Sequence, residues 1–147
     1  MIECLSKETI VQYAKIREEV KDIRRKIESL ESQISRMEEE GAVTDSVKGG
    51  AGGIQNFKVT GFPYPQYSRK KTLLYSRKAT LETLELDLLE AINMAEEYIN
   101  SLDDPRIRRL LNLRFIEDMT YIQVARRMGR RATADSVRME INRFFEK

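Results

Sequence analysis

Histidine and tryptophan are missing from the 147 residues, and cysteine occurs once, as Cys4. One thiol cannot form a disulfide within the chain. Without histidine, neither a Cys/His zinc site nor a histidine-dependent triad or dyad can be assembled. Long apolar runs are lacking too. The longest uncharged stretch, between Lys58 and Arg69, is broken by Gly and Pro and is too short to span a bilayer. The start, Met1-Ile2-Glu3-Cys4, has no basic n-region and no apolar h-region, so no secretory signal is expected. No nucleophile stands beside a base in a recognisable motif, and the acids read as solvated helix-face charges. These absences predict a cytoplasmic protein that works by binding. No enzymatic activity is expected, and with it no catalytic residue, no metal and no cofactor.

Charge is abundant but unevenly placed. Lys and Arg number 26 against 24 Asp and Glu, net +2. Residues 1–104 carry 15 basic and 19 acidic side chains, whereas residues 105–147 carry 11 basic and 5 acidic, and ten of those eleven are arginine. An arginine-rich end on an otherwise acidic chain fits a polyanion, because the planar guanidinium fork matches phosphates and guanine edges. A second basic zone runs from Ser46 to Leu81 with no acid, interleaving Lys48, Lys58, Arg69, Lys70, Lys71, Arg77 and Lys78 with Phe57, Phe62, Tyr64, Tyr67 and Tyr75. Such mixing can serve nucleic acid or protein; it reads more simply as a flexible loop leading into a helix.

The strongest periodic signal lies near the start. Tyr13, Ile16, Val20, Ile23, Ile27, Leu30, Ile34 and Met37 are spaced by three and four, filling the a and d positions of four heptads. Ser6 is the expected N-cap, Glu8 suits the first turn, and Gly41 is expected to end the helix. Such a helix is roughly 50 Å long. Its narrow stripe needs another helix, to which the knobs offer on the order of ten kcal/mol or more. A parallel homodimer would satisfy it, with Glu19–Arg24 and Lys26–Glu31 as attractive flanking pairs. The chain also supplies its own partner over 69–102, through Leu74, Leu81, Leu84, Leu88, Ile92, Ala95, Ile99 and Leu102. An intramolecular antiparallel hairpin is therefore predicted, and Leu73, Leu86, Leu89 and Tyr98 form a spare apolar edge suited to a homodimer. The connection, residues 41–68, holds the run Gly49-Gly50-Ala51-Gly52-Gly53, which no Gly-Lys-Ser/Thr follows and which is expected to be poorly ordered. Phe62-Pro63-Tyr64-Pro65 reads as extended or turn-like, its aromatics folding back on the hairpin.

Residues 105–147 read as a helix-turn-helix. Asp104 is an N-cap with Pro105 at the first helical position, and Ile107, Leu110, Leu111 and Phe115 face inward. Thr120-Tyr121-Ile122-Gln123 is a capping box opening a helix with Tyr121, Val124, Ala125 and Met128 on one face. Gly129 supplies a left-handed turn residue, Thr133 or Asp135 caps the last helix, and Val137, Ile141, Phe144 and Phe145 form its inner stripe. The predicted fold is thus all-α. A long helical hairpin (an antiparallel coiled coil) over 1–104 with a Gly-rich loop at 41–68 precedes a three-helix helix-turn-helix module over 105–147.

Leu113-Arg114-Phe115, Thr120, Val124-Ala125, Met128-Gly129 and Val137 resemble the region-four helix-turn-helix of bacterial sigma factors, over about 40 of the residues. The whole layout is similar to small phage and prophage sigma-like regulators of the RinA/ArpU type. The resemblance implies sequence-specific binding of double-stranded DNA at promoters of phage genes, in the cytoplasm of a bacterial host, with contact to RNA polymerase. Three features depart from the pattern. Asp118 stands where it has Gly, Gln123 where it often has Glu, and the turn from Arg130 to Ser136 is about two residues longer. No second sigma module is visible, so promoter melting is not implied.

Helical geometry assigns roles within the module. Asp135, Met139, Asn142 and Arg143 point outward from the last helix, with Ser136 and Arg138 on its flanks. Asn142 suits adenine, and Arg138 or Arg143 suits guanine or phosphate. Arg126, Arg127, Arg130, Arg131 and Thr133 lie around the turn, where a duplex backbone is clamped. Two other readings stay open. A DNA-packaging recognition subunit also joins a helix-turn-helix to oligomerising helices, and a coiled-coil adaptor would bind only protein.

Overall fold

The computed structural model describes residues 6–49 and 62–147, and the regular structure within them is helical. In chain order the elements are α1 (Glu8–Gly49), α2 (Tyr64–Asn100), α3 (Pro105–Leu111), a π-helical turn (Asn112–Ile116), α4 (Tyr121–Met128) and α5 (Ala134–Glu146). They divide into two compact units: a middle unit, Glu19–Leu84, and a terminal unit that brings Met1–Glu18 together with Glu85–Lys147.

In the middle unit the heptad seam packs as its spacing predicts. Ile27, Leu30 and Ile34 of α1 are buried against Leu74 of α2, with Ile23, Tyr67 and Leu81 half-buried around them. Lys70 Nζ donates to Gln33 Oε1, and Lys78 Nζ lies 3.5 Å from Glu31. The numbers rise on one helix as they fall on the other, so the pairing is antiparallel.

The hairpin ends differ from expectation. Gly41 does not stop α1, which continues to Gly49, and α2 starts at Tyr64 rather than Arg69. Of the expected connection 41–68, residues 41–49 and 64–68 are therefore helical. Gly41 stands at a close approach: a Cβ there would sit 3.0 Å from Phe62 Cε2. That ring packs edge-on to Tyr64 and Tyr67, with centroids 4.5 and 5.5 Å away. The aromatics do fold back, but Tyr64-Pro65 belongs to the first turn of α2, where proline removes only an N–H that has no helical partner. Residues 50–53 of the glycine run lie outside the described residues.

In the terminal unit Ser6 Oγ accepts from the Glu8 N–H at 3.3 Å at the start of α1. Ile10 and Tyr13 of α1 are buried with Ala91, Ala95 and Ile99 of α2, where small alanines let the helices approach, and with Leu111 of α3. Phe115, Phe144 and Phe145 pack against this cluster from the C-terminal helices. A second cluster holds the module itself: Leu110, Leu113, Val124, Ala125, Val137 and Ile141, all buried. α3, the π-helical turn and α5 thus share the first cluster with the ends of the hairpin helices, while α4 joins them in the second. At about 1.5–3 kcal/mol per buried side chain, that core outweighs any surface ion pair here.

Candidate nucleic-acid interface

Each helix of the module begins on a side-chain cap. Asp104 accepts from the Arg106 N–H at 2.9 Å, with Pro105 next to it at the helix start. Thr120 and Gln123 cap α4 reciprocally, and Thr133 and Ser136 do the same for α5. Gly129, at φ 127°, makes the turn between α4 and α5 with a backbone that L side chains rarely adopt. Thr133, rather than Asp135, is the cap. The Thr133 and Ser136 hydroxyls, both named above as interface groups, are occupied in holding the helix start, at 3.0 Å in each direction.

The arginines sort into two groups that composition alone does not distinguish. The first ties the unit together. Arg17 of α1 donates to the Phe115 carbonyl and pairs with Asp118 at 3.1 Å, lying over the Tyr13 ring. Arg106 of α3 grips Glu140 of α5 through two hydrogen bonds of 2.9 and 2.8 Å. The hydrogen bond from Arg106, then its charge, holds the Glu140 carboxyl below its ordinary value, and Glu140 in turn raises Arg106. Arg108 donates to the Leu102 carbonyl, Arg109 to that of Arg127 and Arg114 to that of Met119, each at 2.8 Å. Arg114 also stacks over Tyr121, 4.1 Å from its centroid.

The second group faces solvent. Arg126, Arg127, Arg130, Arg131 and Arg143 are exposed, and none of their side chains makes a hydrogen bond or ion pair among the described residues. Arg138 is exposed and, among the described residues, pairs only with its helix neighbour Asp135, at 3.1 Å. On α5, Asp135, Met139, Asn142 and Arg143 are exposed and Ser136 is half-buried, whereas Val137 and Ile141 are buried and Phe144 and Phe145 partly so. The outward face is the one the spacing predicts. Between α4 and the start of α5 runs a concavity of about 480 Å³, lined by Ile122, Arg126, Arg130, Thr133 and Ala134 among others. All eleven residues expected at the interface lie on α4, α5 or the turn between them.

Asp118 explains one departure from the sigma-like pattern. Its φ is 55°, a left-handed conformation that glycine adopts freely and Asp tolerates. The side chain that glycine lacks is the one that meets Arg17. Residue spacing does not reveal this pair, nor Arg106–Glu140, because the partners are far apart in the chain. The weak signal for Arg17 is its position one step beyond Ile16, at the edge of the heptad seam. No protein-family model matches the chain, and no curated protein and no solved structure matches it. Among the described residues no group of three or more His, Cys, Asp or Glu comes together as a metal site, and no helix is long and apolar enough to cross a membrane.

Proposed function

We propose that the chain is a sequence-specific double-stranded DNA-binding protein that regulates transcription, with α5 as its reading helix. One observation carries the reading: exposed arginines without hydrogen-bond or ion-pair partners surround a doubly capped helix pair, while the arginines beside them are consumed in structure. A guanidinium left in water at a helix-turn-helix corner is placed to replace the counterions of a phosphate backbone. Asn142 on the outward face of α5 and Arg138 on its flank carry the amide and fork that meet base edges bidentately. The sigma-like resemblance extends the proposal to phage or prophage promoters in a bacterial cytoplasm and to contact with RNA polymerase. Leu86 and Leu89, 66% and 61% exposed on α2 of the terminal unit, favour a homodimer as the working form.

Selecting bound sequences from a random duplex pool with the full chain tests this. One enriched motif is expected, and a pool that stays random refutes the reading. A ring of many subunits in native mass measurement would redirect it toward DNA packaging, and a protein partner without duplex binding would redirect it toward an adaptor.

A further inference from the structure

We infer that Met139 reads the C5-methyl group of a thymine, and that with Asn142 it selects a step containing an A·T pair; this rests on the DNA-binding reading above. The argument begins with position on α5. Taking 100° per residue, Val137, Ile141 and Phe144 point into the core, and Met139 lies opposite their mean direction, at the centre of the outward face. Met139 is 48% exposed. The residues around it on that face are polar: Asp135, Asn142, Arg143 and Glu146. The Asp135 carboxylate is already engaged by Arg138. An apolar side chain thus stands in the middle of a polar surface, where contact with a groove would be closest.

Chemistry narrows what it can meet there. A thioether donates no hydrogen bond and accepts only weakly. In the major groove guanine, cytosine and adenine present donors and acceptors, and thymine alone adds a methyl group. Pressed against a polar edge, Met139 would displace water from a base group and leave it without a partner, which is costly. Against a thymine methyl, both surfaces leave water together. An unbranched side chain with three rotatable bonds also has the reach and adaptability for that contact. Asn142 is three residues further along the same face and supplies the amide that pairs with adenine N6 and N7. The two residues together favour an A·T step beneath the middle of α5.

The test uses the duplex selected by the full chain. Each thymine is replaced singly by deoxyuridine, which keeps the base pair and removes only the methyl. For the native chain, one thymine position is expected to lose about fourfold in affinity, the value of one buried methyl-sized group. Met139→Ala should weaken binding and abolish that dependence, so that thymine and deoxyuridine duplexes bind alike. Met139→Leu should keep it. Circular dichroism of both variants should match the native chain, because the residue is not part of the core. The inference is overturned if methyl removal costs the same with methionine and alanine, or costs nothing at every thymine. A selected sequence indifferent to all its methyls overturns this inference alone, whereas a pool with no enriched sequence overturns the DNA-binding reading and this inference with it.

Discussion

The two basic zones of this chain differ in what their cations meet. In the middle unit Lys70 is spent on Gln33, Lys78 on Glu31, and Lys71 lies over the Tyr67 ring at 5.1 Å, while Phe62 closes over Gly41. In the terminal unit, Arg126, Arg127, Arg130, Arg131 and Arg143 stay in solvent on elements whose cores and caps are complete. The difference teaches that a basic, aromatic-rich stretch becomes informative about a partner only after its internal obligations are subtracted. By that test Lys70, Lys71 and Lys78 are tied into the hairpin, whereas Arg126, Arg127, Arg130, Arg131 and Arg143 are not tied into the module.

The comparison can be broken most severely through the core. Leu110→Ala, at a fully buried position, should cost about 2–5 kcal/mol of stability in thermal or denaturant unfolding and abolish DNA binding with it. Ala125→Leu, where α4 meets its neighbours, should cost about 1–3 kcal/mol by overpacking. If either variant folded and bound normally, the arginine corner would not depend on the shared core.

Substitutions on the surface sharpen the contrast. Arg138→Ala or Asn142→Ala should cost about 1–3 kcal/mol on the selected site and far less on random duplex, measured by fluorescence anisotropy. Equal losses on both would reassign the residue to backbone contact. Arg130→Ala with Arg131→Ala should instead weaken both duplexes alike. Lys70→Ala with Lys71→Ala should leave DNA affinity unchanged and show only in unfolding.

The smallest effects concern the arginines that hold the terminal unit. At Asp118, alanine should be less stable than glycine by about 1 kcal/mol, because both lose the Arg17 pair but only glycine relaxes at positive φ. Arg106→Ala should cost roughly 0.2–1 kcal/mol, since the Arg106–Glu140 pair is half in water. The pH dependence has a definite sign. Because Glu140 titrates below its ordinary value when folded, the pair stabilises the protein above the ordinary carboxylate range. That contribution fades as acid carries the pH down through the depressed value. Glu140→Gln should flatten this part of the acid limb in denaturation followed against pH.

Much of the architecture was legible because it is local. The a and d residues from Tyr13 to Met37 carry their period in plain view, and Asp104, Thr120 and Thr133 cap helices through groups two or three residues away. The outward face of α5 followed from the same counting. What escaped depends on distant partners. Gly41 looks like a helix stop until Phe62, far along the chain, lies on it. The π-helical turn at Asn112–Ile116 carries the backbone beyond α3 while keeping Leu113 buried, and no residue type marks it. The sorting of arginines into bound and free was invisible for the same reason: Arg17 finds Asp118, and Arg106 finds Glu140, only after folding.

The most direct measurement is the affinity of the full chain for duplex DNA as a function of salt. If the exposed arginines replace counterions at about six phosphates, the logarithm of the binding constant should fall with the logarithm of salt with a slope near −5. Removing Arg130 and Arg131 should make that slope shallower by about two. Absence of duplex binding at low salt, or a slope near zero that the double substitution leaves unmoved, would contradict the assignment of the arginine corner to nucleic acid.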